Sequence, residues 1–131
     1  AAFASVVATV PNELKSQCRS HRPTSMLMIN GTDDRKVPWR GGSLPYGRIL
    51  SVPASIDFWR QQNQCSGAAK VRSLNPRVQI DQYANCKNGA EVELVTLKGA
   101  GHLFPRGGGG ANSLINAGQE IWNFFDRHRS N

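Results

Sequence analysis

Several features that would assign a protein to a class are missing from this sequence. No apolar run approaches the ~20 residues that a membrane-spanning helix needs. The segment Ala1 to Val10 is apolar but has no charged flank, so it does not match a signal peptide. The three cysteines show no Cys-x-x-Cys spacing, which argues against a zinc or redox site. The sequence therefore predicts no membrane span and no metal.

Acidic residues are scarce relative to basic ones. The chain has 16 Lys and Arg against 9 Asp and Glu, a formal net charge of +7. The basic residues are scattered, the pair Arg35-Lys36 being the tightest group, and no basic helix stripe is interleaved with aromatics. We therefore predict no nucleic-acid partner and interpret the charge as solubility and substrate steering. The 131 residues, 39% of them hydrophobic, predict one domain with a modest core.

The stretch from Met26 to Trp39 organises the rest of the chain. Its apolar start, Ser25 to Ile29, is too short for a helix and predicts a buried strand of a parallel sheet. An Asn-Gly-Thr turn follows, and then come Asp33 and Asp34. Ligands bind beyond the carboxyl ends of strands in open α/β sheets. The acidic pair is therefore a candidate site.

The other elements are predicted from periodicity and capping residues. They are a strand near Ser5 to Val10, a surface loop from Asn12 to Pro23 with Cys18, a helix from about Pro53 to Asn63 capped by Ser51, irregular chain from Cys65 to Asn88, a strand from Glu91 to Leu97, a flexible glycine run at Gly107 to Gly110, and a final helix. Within the irregular chain, the spacing of Ile80, Tyr83 and Cys86 fits either a short strand or a loop. Asn112 or Ser113 is expected to cap the final helix, with Leu114, Ile115, Ile121, Trp122, Phe124 and Phe125 on its buried face. Trp59 is predicted to be core, and His21 and His128 are predicted to lie at the surface.

His102 follows the second confident strand in a glycine-containing loop. The order of strand, acidic loop, crossover, strand and histidine matches the second half of the order Ser…Asp…His found in one class of hydrolases. A carboxylate holds the imidazole tautomer and stabilises the imidazolium that forms when the ring takes a proton. We therefore expect one aspartate of the pair to approach His102.

Taken together, these residues resemble the C-terminal half of α/β-hydrolase esterases of the polyhydroxybutyrate-depolymerase and feruloyl-esterase type. The matching residues are Asn30-Gly31-Thr32-Asp33-Asp34, Val37-Pro38-Trp39, Gly41-Gly42, Trp59, Asn63-Gln64-Cys65, Tyr83, Cys86, Gly89, Gly101-His102, Pro105, Trp122 and Phe125. The family pattern has His, Gly and Trp where this chain has Asn30, Gln64 and Phe104, and it has no counterpart of Arg106.

The resemblance implies a three-layer α/β-hydrolase fold of mostly parallel strands with flanking helices. By motif position it makes Asp34 the triad acid, with Asp33 at a variable position, and His102 the base. Trp39 and Phe104 lie in the loops that would contact substrate. The implied activity is that of a serine carboxylic-ester hydrolase on polyester oligomers or cell-wall aryl esters, with no metal or organic cofactor. An α/β-hydrolase peptidase is a rival that the cysteine pattern disfavours.

One part of this pattern is absent: no Gly-x-Ser-x-Gly occurs in the sequence. We therefore expect residues 1–131 to be the C-terminal part of a single catalytic domain, inactive alone and partnered by its nucleophile-bearing N-terminal half or by a swapped copy. The resemblance also implies a Cys65–Cys86 disulfide, with Cys18 free or bonded upstream, and an extracellular location. The alternative is a non-catalytic binding or structural module.

Overall fold

The computed structural model describes residues 1–19, 22–107 and 114–129. Within these ranges, five strands form one sheet and two form a small hairpin, with two α-helices and two short 3-10 helices. In chain order the elements are β1 (Ala2–Val6), a 3-10 helix (Asn12–Lys15), β2 (Ser25–Gly31), β3 (Gly42–Leu44), β4 (Gly47–Ile49), α1 (Val52–Gln62), β5 (Lys70–Asn75), β6 (Val78–Tyr83), a 3-10 helix (Lys87–Gly89), β7 (Val92–Leu97) and α2 (Ala117–Arg127).

The main sheet has the strand order β1-β2-β7-β6-β5. The pairs β1–β2 and β2–β7 are parallel, whereas β7–β6 and β6–β5 are antiparallel. The sheet is therefore mixed, which differs from the mostly parallel sheet expected from the sequence. The difference arises because the stretch from Cys65 to Asn88, expected to be irregular, contains the β5–β6 hairpin.

The two central strands, β2 and β7, are buried along their whole length. β2 carries the apolar run that a strand covered on both faces requires, whereas in β7 Glu93 and Thr96 interrupt the apolar residues. Both strand predictions are confirmed. On one face Leu27 and Ile29 pack with Phe124 of α2. On the other face Met26 and Met28 pack with Val52 and Ile56 of α1. The helices therefore cover opposite faces, and the architecture has three layers.

Helix α1 confirms the expected helix within a residue at each end. Ser51 is its N-cap, since Ser51 Oγ accepts a hydrogen bond from the Ala54 N–H at 3.1 Å, and Pro53 lies in the first turn. Near its C-terminal end Cys65 is disulfide-bonded to Cys86, as the resemblance implies. Cys18 is free and exposed.

The first strand was misplaced: β1 runs from Ala2 to Val6 and not from Ser5 to Val10. Its partner strand continues to Gly31, but β1 stops because Val7 takes a positive φ of 51°. A left-handed residue cannot continue an extended strand. No sequence signal for that turn is visible, since valine is among the residues least suited to positive φ.

The buried face of α2 is narrower than expected. Phe124 is completely buried, but Trp122 is 59% exposed and Phe125 is 36% exposed. Ala117 and Phe124 lie two turns apart on the sheet-facing stripe, whereas Trp122 lies off that stripe and faces the Arg129 guanidinium at 5.8 Å. Asn116 caps the helix, and the expected caps Asn112 and Ser113 lie outside the described residues.

His128 also departs from expectation. Its side chain is only 12% exposed, because at the C-terminal end of α2 it packs against Phe124 and lies near Glu91 and Ser25. His21 and the glycines after Gly107 in the expected flexible run lie outside the described residues. Within the described part of the chain, no helix is long and apolar enough to span a membrane.

Candidate active site

The loops that follow β2 and β7 meet at the carboxyl edge of the sheet. Gly31, the last residue of β2, lies so close to the other loop that a Cβ there would stand 2.2 Å from the Ala100 carbonyl oxygen. Glycine is therefore required at this position by close approach of the two backbones. The contact places the acidic loop directly against the loop that carries His102.

Three hydrogen bonds fix the register of these two loops. The Thr32 N–H donates to the Leu97 carbonyl at 3.1 Å, and the Asp33 N–H donates to the Ala100 carbonyl at 2.9 Å. In the other direction, the Gly99 N–H donates to Thr32 Oγ1 at 2.8 Å. The two loops therefore act as one unit in positioning the side chains that follow.

Asp34 is the aspartate that faces the histidine. Its buried carboxylate accepts from the Lys36 and Val37 N–H groups at Oδ1, each at 2.8 Å. Its other oxygen, Oδ2, lies 2.9 Å from His102 Nδ1. Asp33 is exposed and is tied into the site by its backbone N–H. The predicted approach of Asp34 to His102 is confirmed; the catalytic role assigned to the pair remains a prediction.

This geometry determines which ring nitrogen can act as a base. With Asp34 accepting from Nδ1–H, the lone pair is on Nε2, as in a catalytic triad. The His102 side chain is 33% exposed, and within residues 1–19, 22–107 and 114–129 its Nε2 makes no hydrogen bond. The pair is therefore arranged to accept a proton from a hydroxyl brought against Nε2. The same described residues contain no group of three His, Cys, Asp or Glu that could hold a metal ion.

The two expected substrate contacts occupy different environments. Trp39 is half-buried and packs against the apolar cluster beneath α1, and its carbonyl accepts the Val52 N–H at 2.9 Å. Phe104, two residues after His102, is 47% exposed. Trp39 is thus anchored to the core, while Phe104 is the more accessible ring. Their substrate-binding role stays a prediction.

A second polar cluster, at the amino edge of the sheet, was not anticipated from the sequence. Arg127 Nη2 lies 3.0 Å from Glu91 Oε1 and 3.0 Å from Glu93 Oε2. Ser25 Oγ lies 3.2 Å from His128 Nδ1, and His128 Nε2 lies 3.5 Å from Glu91 Oε2. The alternation Glu-Val-Glu at the start of a buried strand is the sequence signal that could have indicated it, since buried carboxylates require partners.

Burial and mutual contact shift the pKa values in this cluster. Desolvation, strengthened by the hydrogen bond that Glu93 donates to Glu91, raises the pKa of Glu93 to about 7. For Glu91 desolvation is the largest influence and would raise the pKa, but hydrogen bonds with Glu93 and Arg127 outweigh it and lower the pKa. Desolvation lowers the pKa of His128. The cluster joins the end of α2 to the start of β7 and lies at the opposite edge from His102.

Comparison with known proteins gives a partial similarity. No family model matches the chain. Feruloyl esterase B of Piromyces equi is 34% identical over 91 residues, which is 66% of this chain and 17% of that protein. The abscisic acid-insensitive 5-like protein 2 of Arabidopsis thaliana is 33% identical over 113 residues, 82% of this chain and 38% of that protein. The chain thus spans less than two fifths of each relative, and its similarity to an esterase is partial.

Proposed function

We propose that these residues belong to a serine carboxylic-ester hydrolase with an α/β-hydrolase fold, in which Asp34 is the acid and His102 the base of the catalytic triad. The observation that carries the proposal is the 2.9 Å contact between Asp34 Oδ2 and His102 Nδ1. The partial similarity to a feruloyl esterase supports ester chemistry. The Cys65–Cys86 disulfide supports a secreted protein, because disulfides persist in oxidising compartments.

In this proposal the serine comes from polypeptide outside residues 1–131, either an N-terminal segment of the same enzyme or a swapped copy. The absence of Gly-x-Ser-x-Gly supports that placement. The serine Oγ attacks the ester carbonyl while His102 Nε2 takes its proton. Asp34 stabilises the imidazolium, which then protonates the departing alcohol. Water completes the cycle by hydrolysing the acyl-serine, with His102 again as base. The ester is a polyester oligomer or a cell-wall aryl ester.

The first test measures the tautomer of His102 by ¹⁵N NMR of the 131-residue chain. We expect the Nδ1–H form, because Asp34 accepts that proton. Asp34→Asn should change the tautomer, since an amide can donate to Nδ1. Asp33→Asn is the matched control and should leave the tautomer unchanged. A His102 tautomer that does not change in Asp34→Asn, or that changes equally in Asp34→Asn and Asp33→Asn, would contradict the proposed orientation.

The second test is hydrolysis of p-nitrophenyl butyrate with and without a serine-directed phosphonate. The 131-residue chain should show no phosphonate-sensitive turnover. Once these residues are joined to a nucleophile-bearing segment that gives activity, His102→Gln should lower kcat by about 10⁶-fold. Phosphonate-sensitive turnover by the short chain would place the nucleophile within it. Activity that survives His102→Gln would favour a non-catalytic role for the pair.

A further inference from the structure

Basic residues that are scattered along the sequence gather at one edge of the folded sheet. Seven exposed cations lie in the loops after β2 and β7, in the β3–β4 hairpin and in the β5–β6 turn: Arg35, Lys36, Arg40, Arg48, Arg77, Lys98 and Arg106. We call this set the cationic rim. The β5–β6 turn belongs to it because the Lys98 N–H donates to the Arg77 carbonyl at 2.8 Å. This is the edge that carries Asp34 and His102.

The charges of the rim are not neutralised locally. Within the described ranges none of its seven side chains forms an ion pair. Asp34 is buried and contacts His102. The acidic side chains exposed on this edge are Asp33 and Glu13, and Glu13 lines a neighbouring groove together with Arg48. The rim therefore presents an excess of positive charge beside the candidate active site.

The opposite edge is different. There Arg127 contacts Glu91 and Glu93, each at 3.0 Å, and Arg129 pairs with Asp126. Two cations at that edge are thus held by carboxylates of the same chain. Among the residues that the structure describes, the rim has no such pair.

An exposed aromatic ring stands next to these cations. Tyr46 is 69% exposed, yet its hydroxyl donates to the Lys36 carbonyl at 2.6 Å, which fixes the ring beside the loop of Asp34. It borders a groove of about 220 Å³ whose lining includes Val37, Arg48 and Ile49. An aromatic ring that is held in place but open to solvent offers an apolar face to a flat ligand.

We propose that the cationic rim binds a carboxylated polysaccharide, with sugar rings against Tyr46 and carboxylates against the Lys and Arg side chains. Arginine pairs with carboxylate through parallel hydrogen bonds, and lysine adds point charge. This inference rests on the proposed function, because the polymer would carry the ester that reaches His102. Of the two ester classes proposed above, a polyester chain is uncharged along its length, so the rim favours the polysaccharide.

The test measures affinity of the 131-residue chain for polygalacturonate and for its carboxyl-reduced form, the same polymer without charge. Polygalacturonate should bind more tightly, and its affinity should fall as salt is raised from about 20 to about 200 mM. Lys36→Gln with Lys98→Gln should weaken binding by about tenfold, taking each exposed charge as about threefold. Lys70→Gln with Lys87→Gln removes the same charge from exposed positions away from the rim and should have little effect.

A third variant separates charge from stacking. Tyr46→Ala should weaken binding while leaving the slope of affinity against salt unchanged, since it removes no charge. Equal binding of the two polymers, or equal loss in the rim and control variants, would overturn the proposal. Single-stranded DNA that binds as tightly as polygalacturonate, with the same dependence on Lys36 and Lys98, would overturn it in favour of nucleic acid. These measurements do not involve the His102 tautomer, so a failure of this inference can be distinguished from a failure of the proposed function.

Discussion

The two glutamates at the amino edge of the sheet make a specific prediction about stability and pH. Glu93 is 2% exposed and lies 3.0 Å from Arg127 Nη2, with Glu91 and the charge of Arg72 also acting on it. Burial is the largest influence and raises its pKa from 4.5 to about 7. Replacing this carboxyl by the neutral isostere, Glu93→Gln, should therefore remove a cost that the ionised form imposes on the folded state.

Proton linkage determines whether ionisation of Glu93 raises or lowers the stability of the fold. Because the folded-state pKa of Glu93 is raised, its stabilising contribution is fully present below about pH 4.5 and is lost as the pH rises through about 7. Each pKa unit corresponds to about 1.36 kcal/mol, so the change from 4.5 to about 7 amounts to about 3 kcal/mol in full. Most of that change falls between about pH 5 and about pH 8.

Two neighbouring groups titrate with the opposite consequence. Glu91, whose pKa is lowered, stabilises the fold at pH values above its ordinary pKa. His128, whose pKa is lowered by burial, disfavours folding as the pH falls below its ordinary pKa of 6.5 and the ring becomes protonated. The wild-type profile therefore mixes opposing trends. The difference between wild type and Glu93→Gln isolates the part that belongs to the glutamate pair.

The assay is urea denaturation of both proteins at about pH 5 and about pH 8. We expect the free energy of unfolding of Glu93→Gln, relative to wild type, to rise by about 2 to 3 kcal/mol between the two pH values. Glu13→Gln, at an exposed position of the first 3-10 helix, is the control and should show no such rise. A relative stability that stays constant, or that falls at the higher pH, would refute the reasoning, since the Arg127 contact would then dominate over desolvation.

Three further substitutions or treatments test features of the fold. Ser51→Ala should lower the free energy of unfolding by about 1 kcal/mol through loss of the helix cap, measured by urea denaturation; a cost no larger than that of Ser43→Ala would argue against the cap. Reducing the Cys65–Cys86 disulfide, with a sequence separation of 21, should cost about 3 kcal/mol; thiol titration finding three free cysteines in the unreduced chain would contradict the bond. Gly31→Ala should separate the two loops and shift the His102 tautomer in NMR, because the new Cβ meets the Ala100 carbonyl; an unchanged spectrum would show that the close approach is not required.

The parts of the fold predicted well are those where a local pattern and the tertiary environment agree. β2 has a continuous apolar run because it is covered on both faces, and β7 has the imperfect alternation of apolar and polar residues that is typical of a strand. Helix α1 has apolar spacing, a capping serine and a proline in its first turn, all favouring the same start. The approach of the acidic loop to His102 followed from strand order, since both lie just beyond the carboxyl ends of adjacent parallel strands. The choice of Asp34 over Asp33 came from the motif position in the family resemblance.

The β5–β6 hairpin could not be predicted in the same way. All six residues of β5 are exposed, so no apolar alternation identifies it, and it exists as the edge strand that pairs with β6. Its conformation is set by a neighbour and not by its own pattern, which is the usual weakness of strand propensity. The prediction that Trp122 is buried failed for a related reason. An apolar residue on a helix is predicted to be buried unless the position of the sheet relative to that helix is known, and Trp122 is in fact exposed.

The cationic rim could be recognised only once the fold was known, and the reason is more general. A linear reading detects a basic surface when the cations share a helix face or a short segment. Here Lys36, Arg77 and Lys98 are far apart in the sequence, and they come to one edge because strands of the same sheet deliver their loops there. The topology that unites Asp34 with His102 therefore unites the cations as well. Both the candidate site and the rim depend on the parallel order β1-β2-β7. The tautomer measurement and the salt measurement therefore each test this strand order as well as their own proposal.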